Sequence, residues 1–201
     1  MRSLRFAVIT AVSLAAVAPA LAWQRLNKQD SDRFQAKLTR IVAFGNQKQA
    51  RASAPVNTPI TDAELNAYFE YGAKEQIPSG IVEPRLNAVG DGRVSGQATV
   101  DLDAVRKQKQ RGWLDPMSYL TGSLPLTASG LLITKDGVGR FQLESAQVSG
   151  VSVPKSLLQE LLAYYSRSAE RPNGISMDDP FELPARIREI QVQRGQAIIV
   201  Q

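Results

Sequence analysis

The chain of 201 residues contains neither cysteine nor histidine, and the two absences together remove most common enzyme chemistries. No disulfide can brace the fold, so burial of apolar surface must stabilise it. No thiolate is available as a nucleophile, and a zinc site loses its usual nitrogen and sulfur ligands. The general base used most often near neutral pH is missing as well, which excludes any histidine-based triad. Carboxylates alone can still hydrolyse glycosides when two of them flank a bond. The nearest candidates are Asp101, Asp103, Asp178 and Asp179. Asp101 and Asp103 fall on the polar face of an alternating strand, where solvation accounts for them. Asp178-Asp179-Pro180 reads as a turn, because short acidic side chains bond their own backbone, with a calcium contact as the alternative. Gly90-x-Gly92 and Gly137-x-Gly139 lack the strand-to-helix setting and the later lysine of a phosphate loop, so they read as turns. A non-enzymatic protein without a catalytic residue, a metal site or a cofactor is expected.

Long apolar runs are also scarce, and the one present lies near the N-terminus. Arg2 and Arg5 precede an apolar stretch over residues 6–18, interrupted by Thr10 and Ser13, and Ala20-Leu21-Ala22 follows. This order is that of a cleavable secretory signal over residues 1–22. The alternative, an uncleaved membrane anchor, needs roughly 20 apolar residues. Polar Gln24, Arg25, Asn27 and Lys28 come at once after the cleavage position. No cysteine follows the run, which excludes the lipid-modified class of exported protein. The expected mature product is soluble and exported, either to the periplasm or outside the cell.

Charge of one sign is concentrated rather than abundant. The whole chain carries a net +5, yet residues 23–59 hold seven basic and two acidic side chains, and residues 60–201 hold 15 basic against 17 acidic. A basic arm of this kind either touches anionic lipid headgroups or is a solvated face. Nucleic acid is not an expected partner, because the bulk of the chain is mildly acidic.

Hydrophobic spacing orders the rest. In the arm, Phe34, Leu38, Ile41, Val42 and Gly45 follow steps of three and four and predict a helix, and residues 47–59 read as a linker. A single domain over residues 60–201 should open on Thr61-Asp62-Ala63-Glu64, a capping box ahead of a helix that places Leu65, Tyr68, Phe69 and Gly72 on one face. Strands are predicted over residues 81–89 and 93–103, turned at Gly90-Asp91-Gly92, with Val94, Gly96, Ala98, Val100 and Leu102 on one face. A second hairpin places Leu124, Leu126, Ala128, Gly130 and Leu132 on one face, turns at Lys135-Asp136-Gly137 and returns over residues 138–150. Phe141 and Leu143 have one parity there and Ala146 and Val148 the other, which predicts a β-bulge near Ser145. A helix from Pro154 to about residue 168 carries Leu157, Leu158, Leu161, Leu162 and Tyr165 at helical spacing. A last hairpin covers residues 185–193 and 196–201. The pattern predicts an α+β fold, a curved antiparallel sheet of hairpins wrapped against two amphipathic helices.

The central strands carry small residues, Gly96 and Ala98 on one and Ala128 and Gly130 on the other. Small residues in a strand leave room for a close neighbour or a ligand. Either the helices fill that room or an apolar groove remains. In the second case the lining is Leu65, Phe69, Ala98, Val100, Leu126, Ala128, Leu158, Leu161, Leu162 and Tyr165, and the occupant is lipid or another apolar molecule. Between the hairpins, Arg106, Lys107, Lys109 and Arg111 precede Trp113, Met117 and Tyr119. Basic groups beside amphipathic rings suit an entrance in peripheral contact with an anionic membrane, or else a crossover that caps the core. The rival functional reading is a structural or scaffolding envelope protein, which holds a protein partner through its arm or a strand edge.

The Thr-Asp-Ala-Glu-Leu-Asn run at 61–66, the paired strands, and Val151-Ser152-Val153-Pro154-Lys155-Ser156-Leu157-Leu158 leading to Ile187-Arg188-Glu189-Ile190-Gln191-Val192-Gln193-Arg194-Gly195-Gln196-Ala197 resemble bacterial LmeA-like and YpmS-like exported proteins. These are relatives of the tubular lipid-binding (TULIP, BPI-like) group. The resemblance covers residues 60–201 and leaves out the arm and the Trp113 loop. It implies a TULIP-like half-barrel and phospholipid binding or transfer at the cell envelope.

Overall fold

The computed structural model describes residues 26–47, 54–78, 80–104, 122–167 and 171–201, with the side chains at 161, 164 and 165 outside the description. The expected signal at residues 1–22 lies outside the described residues. Among the described residues, no helix is long and apolar enough to cross a membrane.

The first element is α1, Lys28–Asn46, capped by Asn27, whose side chain accepts from Asp30 N. The predicted arm is helical, and it is packed. Phe34 and Ile41 are buried, and the Phe34 ring lies 4.7 Å from that of Tyr68. Strand β1, Asn57–Thr61, falls within residues that the sequence assigns mostly to a linker, and it pairs with β9, Gln196–Val200. Thr61 then caps α2, Asp62–Tyr71, through the predicted box: its hydroxyl accepts from Glu64 N, and the Glu64 carboxylate accepts from Thr61 N. Lys37 of α1 donates to the same carboxylate at 2.7 Å and also to Pro59 O, tying α1, β1 and α2 together.

Strands β2 (Ile81–Gly90) and β3 (Arg93–Asp101) form the first long hairpin, and β4 (Ser123–Lys135) and β5 (Val138–Val148) form the second. Asp91-Gly92 and Asp136-Gly137 turn them with both residues at positive φ, the twist that two-residue hairpins favour. The short strand β6 (Val151–Ser152) continues β5, helix α3 spans Lys155–Ser166, and β7 (Phe181–Glu182) pairs with the start of β5. Strand β8, Glu189–Gln193, closes a three-stranded sheet in the order β1-β9-β8. The larger sheet runs β2-β3-β4-β5-β6 in an antiparallel, unclosed curve, with β7 on the outer edge of β5. The predicted bulge is present: Ser129 pairs with Ser145 and Gly130 with Leu143, which leaves Glu144 as the extra residue.

The buried core sits at one end. One cluster joins Ile41, Leu183, Ile187 and Ile199, and another joins Phe34, Tyr68 and Ala73, with Ile60 packed against both. Both hairpin tips are fastened to this base. Gly137 N donates to Arg188 O, Thr134 exchanges two hydrogen bonds with Ile190, and Gly195 N donates to Ala88 O. The buried Gln201 side chain donates to Ile41 O and Ala185 O, pinning the last residue to α1.

Candidate functional site

Cross-strand partners share a face of a sheet, so the register shows which apolar residues meet. Leu86, Gly96, Ala128 and Ala146 form one row across β2 to β5, and Ala88, Val94, Gly130 and Leu143 form the next. Ala98, Leu126, Val148 and Val151 make a third row, and Val100 pairs with both Ile81 and Leu124. The bulge at Glu144 puts Phe141 and Leu143 on the same side as Ala146 and Val148. The result is one apolar face spanning five strands.

Ala98, Val100, Leu126 and Ala128, named from the sequence as groove lining, lie together in the middle of this face and are half-buried. The room above the two glycines is already taken from within the sheet. A Cβ at Gly130 would lie 2.5 Å from the Phe141 ring, and one at Gly96 would lie 3.1 Å from a Leu86 methyl. Leu86 and Phe141 therefore frame a floor made by the two alanines. Sequence reasoning leaves Leu86 out because the alternation of β2 breaks at Glu83-Pro84, where the register slips.

Other predicted lining residues sit elsewhere. Leu65 and Phe69 pack against the Phe34–Tyr68–Ala73 cluster. Phe69 also lines a cleft of about 360 Å³ with Ile77, Ile81 and Pro84 at the start of β2. Helix α2 does not lie over the alanine floor; it closes the outer edge of β2. Asn66 donates to Leu86 O and accepts from Leu86 N, both at 2.8 Å, and Asp62 accepts from Ala88 N. These side chains stand where a further strand would bind, which blocks the edge.

Helix α3 rises from β6 without a side-chain cap and leans on the 174–178 segment. Gln159 donates to Ile175 O and accepts from Met177 N, and Lys155 pairs with Asp178. Of the described side chains in its apolar stripe, Leu158 is half-buried and Leu157 and Leu162 are 47% and 36% exposed. The side chains of Leu161 and Tyr165 lie outside the description, as do Arg106, Lys107, Lys109, Arg111 and Trp113 of the expected entrance.

The carboxylates have local duties. Asp101 accepts from the backbone N–H groups of Asp103 and Ala104, and Asp103 accepts from Gly122 N. Among the described residues, no group of three or more acidic side chains is placed to hold a metal ion. A cleft of about 540 Å³ between α1 and β1, lined by Lys37, Arg40, Phe44, Val56 and Pro59 among others, belongs to the base.

No family model and no curated protein matches the chain. A solved structure matches loosely. It is the crystal structure of a lipopolysaccharide binding protein, 15% identical, covering 77% of this chain with a TM-score of 0.22. The chain spans 45% of that structure's length. At this score the two folds do not superpose as wholes.

Proposed function

We propose that the protein is an exported, non-enzymatic module that binds lipid or another apolar molecule on the apolar face of its six-stranded sheet. The observation that carries this reading is the separation of apolar surface from core. Both buried clusters lie in the base, while on the sheet's apolar face Ala98, Val100, Leu126 and Ala128 are half-buried, Gly130 and Ala146 are buried, and Val151 at the margin is 69% exposed. Soluble proteins seldom leave a large contiguous apolar patch uncovered unless something binds there. The exposed leucines of α3 add apolar surface next to β5 and β6, suited to an acyl chain. The resemblance of residues 61–66 and 151–197 to exported lipid-binding proteins points the same way, as does the signal-like N-terminus. Transfer of phospholipid at the envelope is the form of the activity that this resemblance implies.

The experiment is displacement of an apolar fluorescent probe. N-phenyl-1-naphthylamine should brighten on binding the purified protein and dim when a short-chain phosphatidylglycerol is added below its critical micelle concentration. No brightening above that given by a protein of similar size without such a face would contradict the reading.

A further inference from the structure

Three of the four sheet edges are closed by this chain's own groups. Asn66 and Asp62 occupy the edge of β2. The outer side of β8 takes both hairpin turns, through Gly92 N to Val192 O and Gly137 N to Arg188 O. On β1, Pro59 has no N–H to offer, and its carbonyl is held by Lys37. The outer edge of β5 is closed only at its two ends. Strand β6 covers Gln147 and Val148, and Val153 N donates to Ala146 O. Strand β7 covers Val138 and Gly139.

Both β6 and β7 run antiparallel to β5 on the same edge, so they are two pieces of one interrupted strand. After Val153 the chain leaves the edge for α3, and it returns at Phe181. What is left between the pieces is a slot opposite residues 140–145, roughly 20 Å long at about 3.4 Å per residue. The register fixes which groups face it. Lys135 and Val138 close the hairpin, so Arg140 and Gln142 bond β4, and the backbone N–H and C=O of Phe141 and Leu143 point outward. Among the described residues, none of these outward groups has a hydrogen-bond partner.

Outward N–H and C=O groups in a row are a template for a further strand, and sheets take up extended peptides by this pairing. The side chains set the sequence of the occupant. On the apolar face it meets Phe141 and Leu143, both half-buried. On the polar face it meets Arg140, which is exposed and has no acidic partner among the described residues, whereas Glu144 is held by Arg93 at 3.2 Å. A second copy of the chain cannot offer its own β5, because the β6 and β7 of each copy would stand where the other's β5 must lie.

We infer that the slot takes an extended peptide segment of a partner protein, antiparallel to β5, with alternating apolar side chains and an acidic residue opposite Arg140. This site does not rest on the proposed lipid binding.

The test is amide NMR of the uniformly 15N-labelled protein, titrated to millimolar concentration with the acetylated and amidated peptide Lys-Val-Thr-Val-Asp. In the antiparallel register its valines meet Leu143 and Phe141, and its aspartate meets Arg140. Saturable shifts of the Phe141 and Leu143 amide signals are expected, with slower hydrogen exchange at both. N-methylation of the two valines removes the donors that pair with β5 and should weaken binding by about tenfold or more. In Arg140→Glu the preference should invert, so that the peptide ending in Lys instead of Asp binds better. Absence of saturable shifts at these two amides would mean a hydrated edge only and would overturn the inference. Undiminished binding of the N-methylated peptide, or an unchanged preference in Arg140→Glu, would overturn it too.

Discussion

At the scale of single residues, two carboxylates two positions apart on α2, Asp62 and Glu64, are shifted in opposite senses. Burial works to raise the pKa of Glu64, but the Lys37 hydrogen bond, the Thr61 backbone donor and the Lys37 charge together hold the carboxyl below its ordinary value. A depressed carboxylate contributes stability that is present above its unfolded pKa and lost as pH falls through the folded one. Glu64→Gln should therefore cost about 1.5–3 kcal/mol at pH 7, a deficit that closes in acid, as urea unfolding at pH 7 and pH 3 will show. Asp62 goes the other way. Its burial raises the pKa, and the hydrogen bond from Ala88 N only partly opposes this. Its contribution is greatest below the unfolded pKa and falls as pH rises through the folded value. Asp62→Asn keeps an acceptor for Ala88 N and removes the buried charge, so its urea midpoint at pH 7 should equal or exceed that of the native chain.

At the scale of elements, α1 is a wall of the core. Phe34→Ala removes a buried ring that packs on Tyr68 and should cost about 3–5 kcal/mol, measurable by chemical denaturation. A solvated arm would show no such loss. The sequence displays the periodicity of this helix but not what covers it, since a thin apolar stripe fits a free amphipathic helix equally well. Strand β1 is hidden for another reason. Pro59 argues against a central strand, but it is tolerated at an edge, and β1 is the edge of its sheet, with Pro59 opposite Ile198. The capping box at Thr61–Glu64 and the bulge beside Ser145 are readable because each leaves a local mark, a residue spacing or a change of parity. The guard on β2 has no such mark, for Asn66 meets Leu86 across 20 positions. Asn66→Ala leaves both Leu86 backbone groups without that partner. Amide exchange at Leu86 should quicken, and the opened edge should promote self-association detectable by sedimentation.

At the scale of the whole molecule, a base that contains the buried clusters carries a sheet whose apolar face is left part-open. The central part of the candidate site was readable: strict alternation in β3 and β4 placed Ala98, Val100, Leu126 and Ala128 on one face, and the register brings them together. Leu65 and Phe69 were not separable from them by pattern. An aromatic stripe on α2 could face either the sheet or another helix, and α1 supplies Phe34 as its partner. On the proposed function, the alanine floor holds an apolar ligand. Native mass spectrometry of the purified protein decides this, with Ala128→Trp as the comparison. Adducts of lipid mass should accompany the native chain and be absent from Ala128→Trp at unchanged secondary structure. A native chain of bare protein mass after incubation with phospholipid, or a variant that retains its adducts, would contradict the claim.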